Sequence, residues 1–329
     1  MNTVVISGVA GMTGSEVARQ LLAGGWRVVG FDTFFASSPA AIADLRKEDN
    51  FSFHLYDLNR PADARLLENE LAGRSSKGGL AFVNCAAVVH TKHFYVPSAT
   101  FETNVCGMKA FLELAVRVGA QQFINCSTSE VYSLKSFVAG GVLESDPLLV
   151  ASSETSPRAS YAIGKLLTEF FMREAVDLGR IRGCSLRFAN VYSHDEFLPE
   201  HIIPYTIQTL RKGPAIVLLE NARKTRRTFL HNNDSAAAVV RLLESDRALD
   251  GSAYNVGTVE EIGMVELVET IGAQMGVTPE ITFAGVRSAD PERRLLNMEK
   301  IRARTGWAPT VTLSQGIQLC LRHEPRGTA

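Results

Sequence analysis

Short apolar runs alternate with amphipathic stretches through most of the chain. Residues 3–7, 27–32, 51–56, 80–86, 121–127 and 183–189 read as strands, whereas 14–23, 101–118 and 160–178 show helical spacing with few breakers. Strands that are apolar on both faces and separated by helices predict a parallel sheet covered on each side. A seventh strand is expected at Ala253-Tyr254-Asn255-Val256. The pattern predicts an α/β chain, a Rossmann-type doubly wound parallel sheet of about seven strands. Residues 191–226 and 258–329 lose the alternation and carry Pro199, Pro204, Pro214, Pro279, Pro291 and Pro309. They read as a smaller, discontinuous α/β lobe closing over the sheet edge.

Composition changes this picture little. The 329 residues suit one large or two small domains, and the net charge of -1 gives no basic field for nucleic acid. Cys85, Cys106, Cys126, Cys184 and Cys320 are scattered without a Cys-x-x-Cys, as expected of a cytoplasmic chain with reduced thiols. No basic leader or long apolar span is seen, so neither secretion nor membrane insertion is expected.

The first strand runs into Gly8-Val9-Ala10-Gly11-Met12-Thr13-Gly14, between a strand and a helix. Such a turn lets backbone N–H groups approach a pyrophosphate, and the helix N-terminus favours its charge. The second strand ends at Asp32, whose carboxylate can accept both ribose hydroxyls and repel a 2′-phosphate. No Arg or Lys follows it until Arg46, so NAD is expected over NADP. Asp32 as a plain turn residue is the alternative. Asp57-Leu58, after the third strand, is placed to meet the adenine, or Asp57 caps a helix. The expected division is an NAD-binding domain of residues 1–190 plus 227–257 and a substrate domain of residues 191–226 plus 258–329.

Tyr161 and Lys165 are four apart on an expected helix and share a face. A free tyrosine, with a pKa near ~10, is a poor base at neutral pH. A nearby ammonium and a positive nicotinamide ring would stabilise its phenolate.

Taken together, Gly8-x-x-Gly11-x-x-Gly14, Asp57-Leu58, Asn84-Cys85-Ala86-Ala87, Asn104-Val105-x-Gly107, Ser127-Thr128-Ser129-Glu130-Val131-Tyr132, Tyr161-x-x-x-Lys165, Leu186-Arg187-Phe188-x-Asn190-Val191-Tyr192 and Arg227-Thr228-Phe229 resemble the extended short-chain dehydrogenase/reductases. More narrowly, the chain resembles the nucleotide-sugar epimerase/dehydratase family as far as Asp290-Pro291-Glu292-Arg293-Arg294 and Thr305-Gly306-Trp307-x-Pro309. The resemblance implies a transient oxidation. Tyr161 takes the proton of the sugar 4-hydroxyl while carbon 4 gives its hydride to NAD, which is later regenerated. Thr128 hydrogen-bonds the same oxygen, and Lys165 binds the nicotinamide ribose and tunes Tyr161. Gly8, Gly11, Met12, Thr13, Gly14, Asp32, Asp57, Leu58, Ala86, Ala87 and Asn104 would complete the cofactor site. Ser129, Asn190, Arg227 and one of Arg293 or Arg294 would face the nucleotide-diphosphate sugar. Two helices of each subunit would form the four-helix bundle of a homodimer.

Glu130 separates the subfamilies. The Thr128-x-Glu130 arrangement resembles 4,6-dehydratases and uronic-acid decarboxylases, which act at carbons 5 and 6 once the 4-keto group has acidified the neighbouring C–H. Dehydratases of the best-known type carry Asp where this chain has Ser129. Decarboxylases can carry Ser there and a late arginine matching Arg294, yet their Tyr-x-x-x-Lys-Arg is here Tyr161-x-x-x-Lys165-Leu166, and the loop His90-Thr91-Lys92-His93-Phe94-Tyr95 does not look like theirs. In a 4-epimerase, Glu130 would only support the site. Met12-Thr13 stands in place of the usual aromatic-Ile pair, Ser133 replaces a glycine, and residues 133–157 form a long insertion; an unusual substrate would follow from these.

No metal site is expected, since His90 and His93 lack further ligands. Ser127 lacks the surroundings of a hydrolase nucleophile. A net reductase and a non-catalytic dinucleotide sensor are the alternatives from other classes; Asp32 opposes the first, and the Thr128, Tyr161 and Lys165 set opposes the second.

Overall fold

The computed structural model describes residues 1–72, 78–89, 96–132, 139–156, 159–196, 200–287 and 290–323. In chain order the first part contains β1 (Thr3–Ser7), α1 (Met12–Ala23), β2 (Arg27–Asp32), β3 (Phe51–Leu55), α2 (Pro61–Leu71), β4 (Leu80–Asn84), α3 (Pro97–Thr100), α4 (Met108–Arg117), β5 (Gln122–Thr128), α5 (Ala159–Asp177) and β6 (Arg182–Phe188). There follow β7 (Asn190–Tyr192), α6 (Ile202–Leu210), β8 (Ala215–Leu218), β9 (Arg226–His231), α7 (Asn232–Leu243), β10 (Asp250–Val256), β11 (Glu261–Gly263), α8 (Met264–Met275), β12 (Glu280–Phe283), α9 (Glu299–Thr305) and α10 (Leu313–Arg322).

Seven strands form one sheet in the order β10-β6-β5-β4-β1-β2-β3. Every neighbouring pair is parallel. This is the doubly wound Rossmann order, and the strand sequence reverses between β1 and β4. The reason is legible in β1 and β4, whose residues are all buried. Helices are therefore needed on both faces. On one face Val17, Ala18 and Leu21 of α1 share a core with Ala236, Val239 and Leu242 of α7. On the other, Phe111 of α4 meets Phe31, Phe82 and Phe123, with ring centroids 5.4, 4.8 and 5.5 Å away. The expected helix over 101–118 is present in two forms, a π-helical stretch over Phe101–Gly107 and then α4.

Smaller sheets and helices make up the remainder. The orders are β11-β9-β7 and β12-β8. Leu267 and Ile271 of α8 pack with Ile203 and Ile207 of α6 and Ile317 of α10. The expected division put residues 227–257 wholly with the large sheet. Here β9 pairs with β7 and β11 instead, while α7 and β10 do belong to the large sheet and its cover. β9 thus sits where the chain passes between the two parts, and the two-domain division itself remains our proposal.

Candidate active site

The reversal between β1 and β4 leaves a crevice at the carboxyl ends of the strands, the usual ligand position in such sheets. A cavity of about 650 Å³ lies there. Its wall includes Gly8, Gly11, Met12, Thr13, Gly14, Asp32, Asp57, Leu58, Ala86, Ala87, Thr128 and Tyr161, so most of the expected cofactor set converges from separate strand ends.

Two glycines are required by close approach. Gly8 has φ +67°, and a Cβ on it would stand 2.7 Å from the Ala86 backbone. A Cβ on Gly14 would stand 2.2 Å from the Gly8 carbonyl oxygen. Both positions exclude a side chain, which keeps the turn tight against α1 and leaves its backbone open to a ligand phosphate. Asp32 fixes the same turn. Its Oδ2 accepts from Ala10 N at 3.0 Å, and its Oδ1 accepts from Phe34 N at 2.7 Å and Ser37 Oγ at 3.2 Å. The carboxylate is thus both turn-forming and presented to the cavity; the two sequence alternatives are compatible. Asp57 likewise lines the cavity while its Oδ1 accepts from Asn59 N at 2.9 Å. Asn104 is buried behind the wall, where its side chain bonds Val88 N at 2.7 Å and Val88 O at 3.3 Å.

At the other end, Tyr161 of α5 faces Thr128 at the tip of β5. Burial pushes the Tyr161 hydroxyl up, the nearby Glu130 charge adds to this, and a hydrogen bond from Thr128 opposes it. Thr128 Oγ1 also accepts from Glu130 N at 3.2 Å. Lys165 is 2 % exposed and donates from Nζ to the Cys126 carbonyl oxygen at 2.8 Å. Its own pKa is lowered, by burial first, against the pull of Cys126, Cys85 and Glu169.

Ser129 and Glu130 lie on a 3-10 turn, Ser129–Tyr132. A buried chain of polar groups anchors it: Ser127 Oγ donates to Glu169 at 2.6 Å, Arg187 bonds Glu169 at 2.7 Å and Tyr132 Oη at 3.0 Å, and Tyr132 donates to Asn255 at 2.7 Å. Fully paired buried networks of this kind rigidify what they hold. From the opposite side Arg294, 8 % exposed, reaches Glu130 at 2.6 Å. Arg294 is itself held in an extended strap. Arg226 N donates to Glu292 O at 2.8 Å, Val142 N to Leu295 O at 2.9 Å, and Asn297 N to Val142 O at 3.0 Å. Part of the insertion, around Val142, therefore clamps the arginine-bearing segment. Gly141, at φ +87°, is needed there, because its Cβ would stand 2.5 Å from Leu296 C.

The expected substrate arginines are all engaged by carboxylates. Arg227 bonds Asp290 at 2.8 Å, and Arg293 bonds Glu261 at 2.5 Å. Asn190 opens β7 beside the cavity-lining Ala189 and Val191. Glu196 and His201, which no sequence motif marked, also line the cavity. They lie beyond the Asn190-Val191-Tyr192 signature, and only their position in space singles them out. The loop His90–Tyr95 and Ser133 lie outside the described residues. Among the described residues, no cluster of His, Cys, Asp or Glu could hold a metal ion, and no helix is long and apolar enough to cross a membrane.

Comparison with known proteins agrees with this geometry. UDP-glucuronic acid decarboxylase 1 of Arabidopsis thaliana is 29% identical over 328 residues, covering 95% of this chain and 68% of the relative. dTDP-glucose 4,6-dehydratase of Streptomyces griseus is 28% identical over 325 residues, covering 95% and 91%. The dTDP-glucose 4,6-dehydratase of Streptomyces venezuelae, solved with NAD bound, superposes with a TM-score of 0.84 at 27% identity, covering 97% of this chain and 96% of that one. With the family model matching residues 4–257, the chain belongs to the NAD dependent epimerase/dehydratase family.

Proposed function

We propose that this chain is an enzyme that oxidises a nucleotide-diphosphate sugar at carbon 4 and then acts at carbons 5 and 6 of the 4-keto intermediate. The observation that carries this reading is the Arg294–Glu130 ion pair beside Tyr161 and Thr128. NAD fits the glycine turn, where added Cβ atoms would collide, and it would be held by the Gly8–Gly14 backbone, Asp32, Asp57, Leu58, Ala86 and Ala87. Bound there, NAD supplies a reversible hydride acceptor.

The residues of this chain do the rest. Tyr161 takes the proton of the sugar hydroxyl, with Thr128 bonded to the same oxygen. Its hydroxyl lies above its ordinary value here, so it needs positive charge before it can act as a base. Lys165, four residues on along the same helix, would supply that charge together with a bound oxidised cofactor. Once carbon 4 is a ketone, the C–H at carbon 5 is acidified and a carboxylate beside it can remove that proton. A carboxyl group at carbon 6 would be β to the new ketone and leave as carbon dioxide without loss of the carbon 5 proton; the electron pair of the broken C5–C6 bond would pass to an enolate, and carbon 5 would then take up a proton, a transfer in which Glu130 would serve. Ser129 gives no carboxylic proton for a leaving hydroxyl, which counts against dehydration; decarboxylation of a hexuronic acid is therefore favoured. The names of the Arabidopsis and Streptomyces relatives support chemistry of this class.

A 4-epimerase is the second reading. Both Glu130 oxygens face Arg294, at 2.6 and 3.4 Å, a use of the carboxylate that could be purely structural. The test is mass spectrometry. The purified protein, denatured to release ligands, is expected to yield NAD. Incubation with UDP-glucuronic acid, UDP-glucose and dTDP-glucose is expected to yield a product lighter by carbon dioxide from the first. A product lighter by water identifies dehydration, and conversion without mass change identifies epimerisation.

A further inference from the structure

Two thiols outside the proposed chemistry meet at the end of the large sheet. β4 and β5 are in register at Asn84 and Asn125, and Cys85 and Cys126 are the next residues along the two segments. Their sulfurs are 3.6 Å apart and share a hydrogen bond. Neighbouring strands run about 4.8 Å apart, within the Cα separation that a disulfide spans. Closing the sulfurs to a bond of about 2.05 Å therefore asks for side-chain rotation, not for a new backbone path.

The two thiols are not equivalent. Cys85 is half-buried and lines the cavity. Cys126 is 8% exposed, and its carbonyl oxygen seats Lys165. A small oxidant entering the cavity meets Cys85 first. The hydrogen bond with Cys126, and then burial, push the Cys85 thiol well above its ordinary range, while Lys165 acts the other way. The thiolate is the reactive form, so this thiol reacts slowly and under sustained oxidant. Of the remaining cysteines, Cys184 and Cys320 are buried and Cys106 is exposed.

We infer that Cys85 and Cys126 are a modification site for peroxide, at which Cys85 is oxidised first, from the cavity, and Cys126 closes a disulfide onto it. The Cys85 sulfur attacks one peroxide oxygen. The S–O bond forms as the O–O bond breaks, and the departing hydroxide takes the thiol proton and leaves as water. Cys85 is then a sulfenic acid. The Cys126 sulfur attacks the Cys85 sulfur, the S–S bond forms as the S–O bond breaks, and a second water carries off the Cys126 proton. Together the thiols lose two electrons and two protons, and one peroxide is reduced to two waters. A dithiol reductant reverses the change by exchange.

The experiment takes the full chain as purified, carrying Cys106→Ser to remove the exposed competing thiol, and holds it in millimolar hydrogen peroxide for hours. Intact mass and a non-reduced peptide map are read before and after dithiothreitol. The expected product is a chain lighter by two hydrogens with the Cys85 and Cys126 peptides joined, both reversed by the reductant. In the same background, Cys126→Ser should leave a sulfenic acid on Cys85 that dimedone traps, and Cys85→Ser should give at least about tenfold less dimedone on Cys126. Alanine at either position replaces serine if a serine variant fails to fold. Equal labelling in the two variants overturns the inference. So does a map in which Cys85 and Cys126 stay free after an exposure that oxidises Cys106 in the unsubstituted chain.

Discussion

Arg294 and Glu130 are 164 positions apart in sequence, yet Nη1 of the one lies 2.6 Å from Oε1 of the other. The arginine is 8% exposed in its side chain and the glutamate 35%. The pair therefore has a buried end and a more open end. Removing one partner of a largely buried pair strands the other and costs more than a surface ion pair would. Arg294→Ala is expected to lower turnover by about 10²-fold or more, with NAD retained, because Glu130 loses the group that aims it. Steady-state kinetics with released-cofactor analysis checks both halves.

On the proposed reading, Tyr161→Phe removes the proton acceptor and keeps the ring. The expected loss is about 10²–10⁴-fold in turnover, with NAD binding unchanged. Retained activity of more than a few per cent would move the base elsewhere.

Asp32→Ala removes acceptors for Ala10 N and Phe34 N as well as the carboxylate facing the cavity. NAD affinity should fall by about tenfold or more while NADP affinity falls less, narrowing the preference. Titration with both cofactors, followed by protein fluorescence, reads this directly; an unchanged ratio means that another residue reads the ribose.

Ile163, Leu167 and Phe170 of α5 are 50%, 38% and 63% exposed, and Phe101 is 54% exposed. Their spacing on α5 puts three apolar groups in one stripe. A stripe of this kind suits burial against a second copy of the chain, and we predict a dimer that Phe170→Glu converts to monomer. Light scattering at micromolar concentration decides it: a monomeric wild type contradicts the prediction.

His231 titrates in a telling direction. It is 0% exposed, its Nδ1 accepts from Asn233 N at 3.3 Å, and its Nε2 has no hydrogen-bond partner among the described residues. Burial first, and then His194, lower its pKa to about 4. The unfolded chain, near ~6.5, takes up the proton first as pH falls. Stability is therefore full above that value and declines toward the folded pKa, by up to about 3 kcal/mol in total. His231→Asn keeps a capping side chain and should lessen the loss of urea midpoint between neutral pH and pH ~5.

How much of this was legible in the sequence follows from the range of the interactions. The seven strands of the large sheet were readable because most are apolar over their own few residues, and the glycine turn because Gly8 and Gly14 admit no Cβ. The place of β9 was not legible, because its partners, β7 and β11, are distant in sequence. Thr128, Tyr161 and Lys165 were readable as motifs. The ammonium's contact with the Cys126 carbonyl was not, since no side-chain pattern encodes it. Nor was the strap that brings Arg294 to Glu130 through Val142, or the pairing of Glu196 with His201. Each of these depends on loops whose paths are set by tertiary packing rather than by local propensity.

The central claim is that chemistry follows oxidation and passes through Glu130. The most direct measurement is the absorbance of the NAD-loaded Glu130→Gln protein after mixing with a nucleotide sugar that the wild type converts, with product masses taken from the same mixture. A 4-epimerase needs only hydride removal, rotation and return, so the change should cost it little. If Glu130 acts after the ketone forms, the reduced-nicotinamide band rises and persists while product formation slows by about 10²–10⁴-fold. Near-normal turnover by Glu130→Gln, with a product of unchanged mass, would contradict the account.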